Sequence, residues 1–70
     1  MDKVYKKVEV VGTSPTSFSD AVRAAIRRAK ETIDHISWFE VVEWRGAVGD
    51  GEVTEFQATV KVGFRVDPHE

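Results

Sequence analysis

The 70-residue chain contains no cysteine, only two prolines and no long hydrophobic run. Without cysteine it has no disulfide, no thiolate zinc site and no cysteine nucleophile. Disulfides and zinc are the usual supports of very small domains, and ordering a chain of this length costs on the order of 100 kcal/mol. We therefore expect one domain over residues 1–70 that gains part of its stability by self-association.

An excess of charge of one sign is also lacking. Ten Lys and Arg residues face twelve Asp and Glu residues, so the net charge of −2 gives no general attraction to nucleic acid or to an anionic membrane. The first residues lack the apolar stretch of a signal peptide, and no segment is long enough to cross a bilayer. These features predict a cytoplasmic protein.

The first half of the chain changes from a strand pattern to a helix pattern. Residues 3–11 place Val4, Val8 and Val10 on one face at period two, and residues 12–16 interrupt the strand. Ser17 is the predicted N-cap of the helix that follows. Its apolar positions have helical spacing: Phe18, Ala21, Val22, Ala25, Ile26, Ala29 and Ile33. On the opposite side we expect i,i+4 ion pairs between Arg27 and Glu31 and between Lys30 and Asp34.

The second half of the chain reads as a long hairpin. Residues 37–48 and 53–66 have strand composition, and the Asp50-Gly51 pair between them is a strong type I′ turn signal. With these two as loop residues, a regular ladder predicts the cross-strand pairs Trp44/Gln57, Val42/Thr59, Glu40/Lys61 and Trp38/Gly63. Residues 67–70 read as a loose tail.

The same register sorts the side chains onto two faces of the sheet. One face would cover the helix and carries Phe39, Val41, Ala58, Val60, Val62 and Phe64. The other carries Trp38, Glu40, Val42, Trp44, Gln57, Thr59, Lys61 and Arg65. One helix cannot cover two faces, so we expect another copy of the chain or a ligand to cover the second.

Several motifs together resemble the dodecin family. They are Val8-Glu9-Val10-Val11-Gly12-Thr13-Ser14, Trp38-Phe39-Glu40-Val41, Arg45-Gly46, Phe56-Gln57 and Lys61-Val62-Gly63-Phe64-Arg65. The resemblance covers essentially the whole chain in the β-α-β-β order of the periodicity. It implies an α+β fold in which a three-stranded antiparallel sheet partly wraps one helix, assembled as a hollow dodecamer.

The resemblance also implies a ligand. Dodecins bind flavins in stacked pairs between symmetry-related tryptophans, which makes Trp38 the stacking residue and Gln57 the residue that hydrogen-bonds the polar edge of the isoalloxazine. Arg45 would lie near the ribityl or phosphate end. Arg65, which follows Gly63-Phe64, is similar to the arginine of the bacterial branch, for which FMN is the usual ligand. Riboflavin and FAD are the alternative flavins, and coenzyme A is a further ligand of that branch. Trp44 departs from the family pattern, in which an aliphatic residue is more frequent.

A distance along the strand adds a constraint that the resemblance does not supply. Trp44 is the residue predicted opposite Gln57, and it lies six positions from Trp38 on the same strand. That separation is about 20 Å at roughly 3.3 Å per residue. One flavin ring cannot span that distance. We therefore expect Trp38 and Gln57 to reach the same ring from different subunits.

Each candidate residue also has a simpler interpretation. Trp38 and Trp44 fit an oligomer interface, and Gln57, Arg45 and Arg65 fit ordinary polar strand positions. The basic group Arg23, Arg27, Arg28 and Lys30 fits a solvated helix face, with a pore lining or a coenzyme A site as the alternative. No pair of histidines or cysteines has metal-ligand spacing, so no transition-metal site is predicted.

The sequence favours a non-enzymatic protein that stores FMN or riboflavin and quenches its photochemistry. The first alternative is a flavin-dependent oxidoreductase that uses the same pocket. The second is a structural oligomer without ligand, in which Trp38 only fills an interface.

Overall fold

The fold has one helix on a three-stranded antiparallel sheet. The structure is a computed structural model that describes residues 2–66. Its elements are β1 (Val4–Ser14), α1 (Phe18–Ala29), β2 (Ile36–Gly49) and β3 (Glu52–Val66), with β3 between β1 and β2. The predicted α+β, β-α-β-β architecture is confirmed. The tail at 67–70 lies outside the described residues.

The ends of α1 follow from local chemistry. Ser17 has an extended backbone, and its Oγ accepts a hydrogen bond of 3.0 Å from the Asp20 amide, as an N-cap does. The helix ends at Ala29, one turn earlier than the apolar pattern indicated. The predicted i,i+4 ion pairs are therefore wrong, because residues 30–34 are no longer helical. Exposed i,i+3 pairs form instead, Arg23–Asp20 at 3.6 Å and Arg28–Glu31 at 3.7 Å.

The core between α1 and the sheet is made of small side chains. Its buried members are Ala21, Val22, Ala25, Ala29, Ala58, Val60 and Val62. Gly12 on β1 lets the helix approach closely, since a Cβ there would collide with Ala25 and with the carbonyl oxygen of Ala21. The largest fully buried side chains are valines. A core of this size agrees with the expectation that association supplies further stability.

The β2–β3 hairpin follows the predicted register only in part. Asp50 and Gly51 both have positive φ, as a type I′ turn requires, and the predicted pairs Glu40/Lys61 and Trp38/Gly63 are present. Between the turn and the Glu40/Lys61 pair, bulges interrupt the ladder. Val42 is an extra residue on β2, and one residue on β3 near Val53 compensates for it nearer the turn.

Because of the bulges, the predicted register is wrong in the middle of the hairpin. Gln57 lies opposite Arg45 rather than Trp44, and Thr59 lies opposite Glu43 rather than Val42. A regular ladder was assumed, and each bulge shifts the pairing by one residue. As a result, Trp44 lies opposite Ala58, on the side of the sheet that faces the helix.

No helix within residues 2–66 is long and apolar enough to cross a membrane.

Candidate functional site

The sheet face away from the helix, here called the outer face, carries Trp38 in a defined position. Trp38 lies opposite Gly63 on the central strand. A side chain at Gly63 would collide with Cδ2, Cε2 and Cζ2 of the indole, so the fused rings occupy the space that the glycine leaves open. The residue remains 38% exposed. One face of the indole is therefore supported by the sheet and the other can be reached from outside.

Neighbours on two sides fix the edge of the same indole. Tyr5 on β1 packs against it with ring centroids 5.0 Å apart and an interplanar angle of 59°. The indole Nε1–H donates a hydrogen bond of 2.8 Å to Oε2 of Glu40. Lys7 on β1 in turn donates to both carboxylate oxygens of Glu40, at 3.1 and 3.3 Å. The orientation of Trp38 thus depends on β1 as well as on its own strand.

Electrostatics at Glu40 favour its charged form. The hydrogen bond from Trp38 lowers the pKa of the carboxyl most, and the hydrogen bond and charge of Lys7 lower it further. Lys61, which lies opposite Glu40 on β3, adds a weaker effect of the same sign on this pKa. Glu40 is therefore an ionised acceptor for the indole N–H at neutral pH.

A second polar group lies on the outer face nearer the hairpin turn. Arg45 Nε donates a hydrogen bond of 2.7 Å to Oε1 of Gln57, and Gln57 Nε2 donates one of 2.9 Å to Glu55. A primary amide has two N–H donors and two acceptor lone pairs, so Gln57 keeps one of each for another partner. Arg45 is exposed and lies beside that amide.

The four predicted site residues therefore form two pairs. Arg65 lies on β3 opposite Tyr5, two residues from Gly63, which places it beside Trp38. Gln57 and Arg45 form the other pair. Gln57 is six residues from Gly63 along the extended β3, which is about 20 Å at roughly 3.3 Å per residue. The bulges change the residue opposite Gln57 but not this separation.

Trp44 does not belong to the outer face. Its ring packs edge-on against Phe18 of α1, with centroids 5.0 Å apart, and Phe18 packs in the same way on Phe56. The prediction that both tryptophans share one face is wrong, because Val42 is inserted between them as a bulge. Trp44 lies in a groove between α1 and β2.

Sequence reasoning missed the residues that hold the indole. Lys7 and Tyr5 come from β1, whose pairing with β3 is not fixed by a tight turn. Glu40 was assigned to a pair with Lys61, whereas its ion pair is with Lys7. The only signal that could have found this contact was Gly63 itself, because a residue without a side chain allows groups on both neighbouring strands to meet above it.

Acidic side chains could bind cations, but the described part of the chain contains no cluster of them suited to a metal ion. Within residues 2–66, no three His, Asp or Glu residues lie close enough together to hold a metal ion.

Comparison with known proteins places this geometry in a family. The family model for dodecin matches residues 4–67. The dodecin of Thermus thermophilus is 51% identical over 67 residues, which cover 96% of this chain and 97% of that protein. The calcium dodecin of Mycobacterium tuberculosis is 34% identical over 65 residues, with 93% and 92% covered.

Solved structures agree with the sequence comparison. The dodecin of Streptomyces coelicolor has a TM-score of 0.93 and 43% sequence identity, and the match covers 97% of each chain. Dodecins are small oligomeric proteins that bind small ligands, and the matches extend over nearly the full length of both partners. The chain described here belongs to the dodecin family.

Proposed function

We propose that this dodecin binds FMN or riboflavin in stacked pairs between Trp38 side chains of symmetry-related copies, stores the flavin and quenches its photochemistry. The observation that carries the proposal is the indole of Trp38, which rests on Gly63 with its other face accessible. An isoalloxazine is wide, planar and electron-poor, so an indole held in this way offers both apolar contact and favourable stacking.

The same contact accounts for quenching. An indole in van der Waals contact can donate an electron to an excited flavin and take it back, which suppresses emission and side reactions. Fixed geometry favours this exchange, and the indole is held by Tyr5 and by the hydrogen bond to Glu40. A storage role needs no group that transfers protons to a substrate.

The polar residues fit the remainder of a flavin. The spare donor and acceptor of Gln57 match the alternating N–H and C=O groups on the pyrimidine edge of the ring. Arg45 or Arg65 can hold the FMN phosphate with the planar fork of a guanidinium. Trp38 and Gln57 are too far apart in one chain to touch the same ring, so the proposed site is complete only in the oligomer, which the family resemblance gives as a homododecamer.

Storage is favoured over catalysis by the stacking itself. A ring enclosed between an indole and a second flavin has no open face for a hydride donor or acceptor. Sustained oxidation of NADH by the flavin-loaded protein would contradict this assignment and support the oxidoreductase alternative.

A fluorescence titration tests the proposal. FMN and riboflavin are titrated with the purified oligomer and with the Trp38→Ala variant, and native mass spectrometry monitors assembly of both. We expect strong quenching by the wild-type protein. Loss of a stacking partner should cost about 1–3 kcal/mol, a value typical of base–aromatic stacking, or roughly 5- to 150-fold in affinity.

The matched control is Trp44→Phe, which alters the other tryptophan on the opposite side of the sheet. It should quench flavin as the wild type does. An assembled wild-type protein that leaves flavin fluorescence unchanged would overturn the proposal and return Trp38 to a structural role. Coenzyme A is titrated in parallel, with mass spectrometry as the readout. Trp38 is proposed to stack on the flavin ring and has no proposed contact with coenzyme A. The Trp38→Ala variant should therefore bind coenzyme A as the wild type does.

A further inference from the structure

One carboxylate oxygen links the indole of Trp38 to a cation on another strand. The indole Nε1–H donates its hydrogen bond of 2.8 Å to Oε2 of Glu40, and the ammonium group of Lys7 lies 3.1 Å from the same oxygen. These contacts are made at the nitrogen edge of the ring. The charge of Glu40 therefore acts on the indole at hydrogen-bond distance, and the charge of Lys7 acts on it through Glu40.

Quenching by electron transfer changes the charge of the indole. Trp38 gives one electron to the excited flavin, which is reduced by that electron, and the indole becomes a positively charged radical until the electron returns. No bond is formed or broken in this exchange. A charge close to the indole changes the free energy of the first step, because it stabilises or destabilises the positive radical.

The charge nearest the indole is negative. Hydrogen bonds from Trp38 and Lys7 lower the pKa of Glu40, so its carboxylate is ionised at neutral pH. Lys7 lies beyond the carboxylate as seen from the indole, and Lys61, opposite Glu40 on β3, has a weaker effect on the same pKa. Because the Coulomb energy falls with distance, the negative charge of Glu40 outweighs these positive charges at the edge of the ring.

We propose that the charge of Glu40 makes Trp38 a stronger electron donor and so speeds the quenching of bound flavin, in addition to orienting the ring. Lys7 offsets part of this effect. The inference rests on the proposed flavin function, since it concerns electron exchange at that site. Charge at position 40 should affect the excited-state lifetime of bound flavin more than the affinity for flavin, because stacking involves the ring and not the carboxylate.

Voltammetry of the flavin-free oligomer tests the donor strength directly. The chain has two tryptophans and one tyrosine, so a reference protein with Tyr5→Phe and Trp44→Phe keeps Trp38 as its sole indole or phenol side chain. In this reference protein, Glu40→Gln retains an oxygen acceptor for the indole N–H but removes the charge. We expect oxidation of Trp38 to become about tenfold less favourable, which is about 59 mV for a one-electron couple.

Time-resolved fluorescence of FMN bound to the same proteins measures the consequence for quenching. The excited-state lifetime of FMN should be about threefold to tenfold longer with Glu40→Gln than with the reference protein, whereas the Kd should stay within about twofold. Native mass spectrometry monitors assembly. If the assembled reference protein binds no flavin, the proposed function fails, and the voltammetry still decides whether Glu40 alters the indole.

Lys7→Met separates the effect of charge from the effect of position. Methionine keeps an unbranched side chain but removes the positive charge, so the charge of Glu40 acts on the indole without compensation. We expect oxidation of Trp38 to become easier and the FMN lifetime to shorten. A purely positional role predicts a longer lifetime in both variants, because both loosen the ring. A lifetime that lengthens in Lys7→Met as in Glu40→Gln, or an oxidation potential that Glu40→Gln leaves unchanged, would overturn the proposal.

Glu9→Gln is the matched control. Glu9 and Glu40 are the two carboxylates opposite Lys61, on β1 and β2 respectively, and the indole N–H donates to Glu40. Glu9→Gln makes the same change of charge without touching that hydrogen bond, and it should leave the potential and the lifetime close to those of the reference protein. An equal shift in both variants would mean that the overall charge of the face acts on Trp38, which contradicts a specific role of Glu40.

Discussion

Trp38 and Trp44 lie on the same strand, yet their surroundings differ. Trp38 rests on Gly63, donates a hydrogen bond to Glu40 and contacts Tyr5. Trp44 contacts Phe18 at the mouth of an apolar groove. The first indole is held in one orientation by residues on all three strands, Tyr5 on β1, Glu40 on its own strand β2 and Gly63 on β3. The second contributes apolar area without a comparable set of polar contacts.

The difference separates two uses of an exposed tryptophan. A ligand platform needs a fixed ring with one open face, because a mobile ring loses conformational entropy when it stacks. An interface between copies needs apolar area that the partner covers, and the partner can supply the order. Exposure alone does not distinguish the two residues, at 38% and 53%, but the contacts at the ring edges do.

The largest expected change comes from removing the space beneath Trp38. In Gly63→Ala the new Cβ collides with the fused rings of the indole, which must leave its position. Overpacking of this kind costs about 1–3 kcal/mol, which urea unfolding would measure. Flavin quenching should fall nearly as far as in Trp38→Ala. Thr59→Ala, also on the outer face of β3, is the control and should retain quenching. A Gly63→Ala variant that quenches normally would show that the ring does not depend on this space.

The sequence predicted the ends of the hairpin better than its middle. Asp50-Gly51 fixes the register near the turn, and Trp38/Gly63 and Glu40/Lys61 pair as expected at the far end. A bulge at Val42 has no residue signature, since valine is also common in regular strands. The position of Trp44 therefore could not be predicted, and it follows from the twist and packing of the whole sheet.

The family motifs named Trp38, Gln57, Arg45 and Arg65 as ligand-binding residues, and that role stays a prediction. The groups that support Trp38 were not predicted. Lys7 and Tyr5 reach Trp38 and Glu40 through the pairing of β1 with β3, which joins residues nearly sixty positions apart without a turn to set the register. Contacts of this kind require the fold before they can be seen.

A smaller effect is expected from deletion of Val42, which tests what separates the two tryptophans. Val41 pairs with Val60 and Glu43 pairs with Thr59, so removing the extra residue joins two segments already in register. Trp44 should stay on the helix side and flavin quenching should persist, with a destabilisation of about 1–2 kcal/mol in urea unfolding. A crystal structure of the variant with Trp44 on the outer face would contradict the assignment of Val42 as the bulged residue.

The smallest effect is expected from Glu40→Gln, which keeps an acceptor for the indole N–H but removes the charge. Because the pKa of Glu40 is lowered in the folded protein from its ordinary value of 4.5, ionisation stabilises the fold above that value. This contribution is lost as the pH falls through the lowered pKa. The wild type should therefore exceed the variant in free energy of unfolding at about pH 7, and the difference should shrink as the pH falls below about 4.5. Urea unfolding at several pH values measures this difference, and a gap that stays constant into acid would mean that Lys7 and Trp38 do not favour the charged carboxylate. Flavin quenching by the variant should weaken less than in Trp38→Ala, since the ring keeps its support on Gly63 and Tyr5.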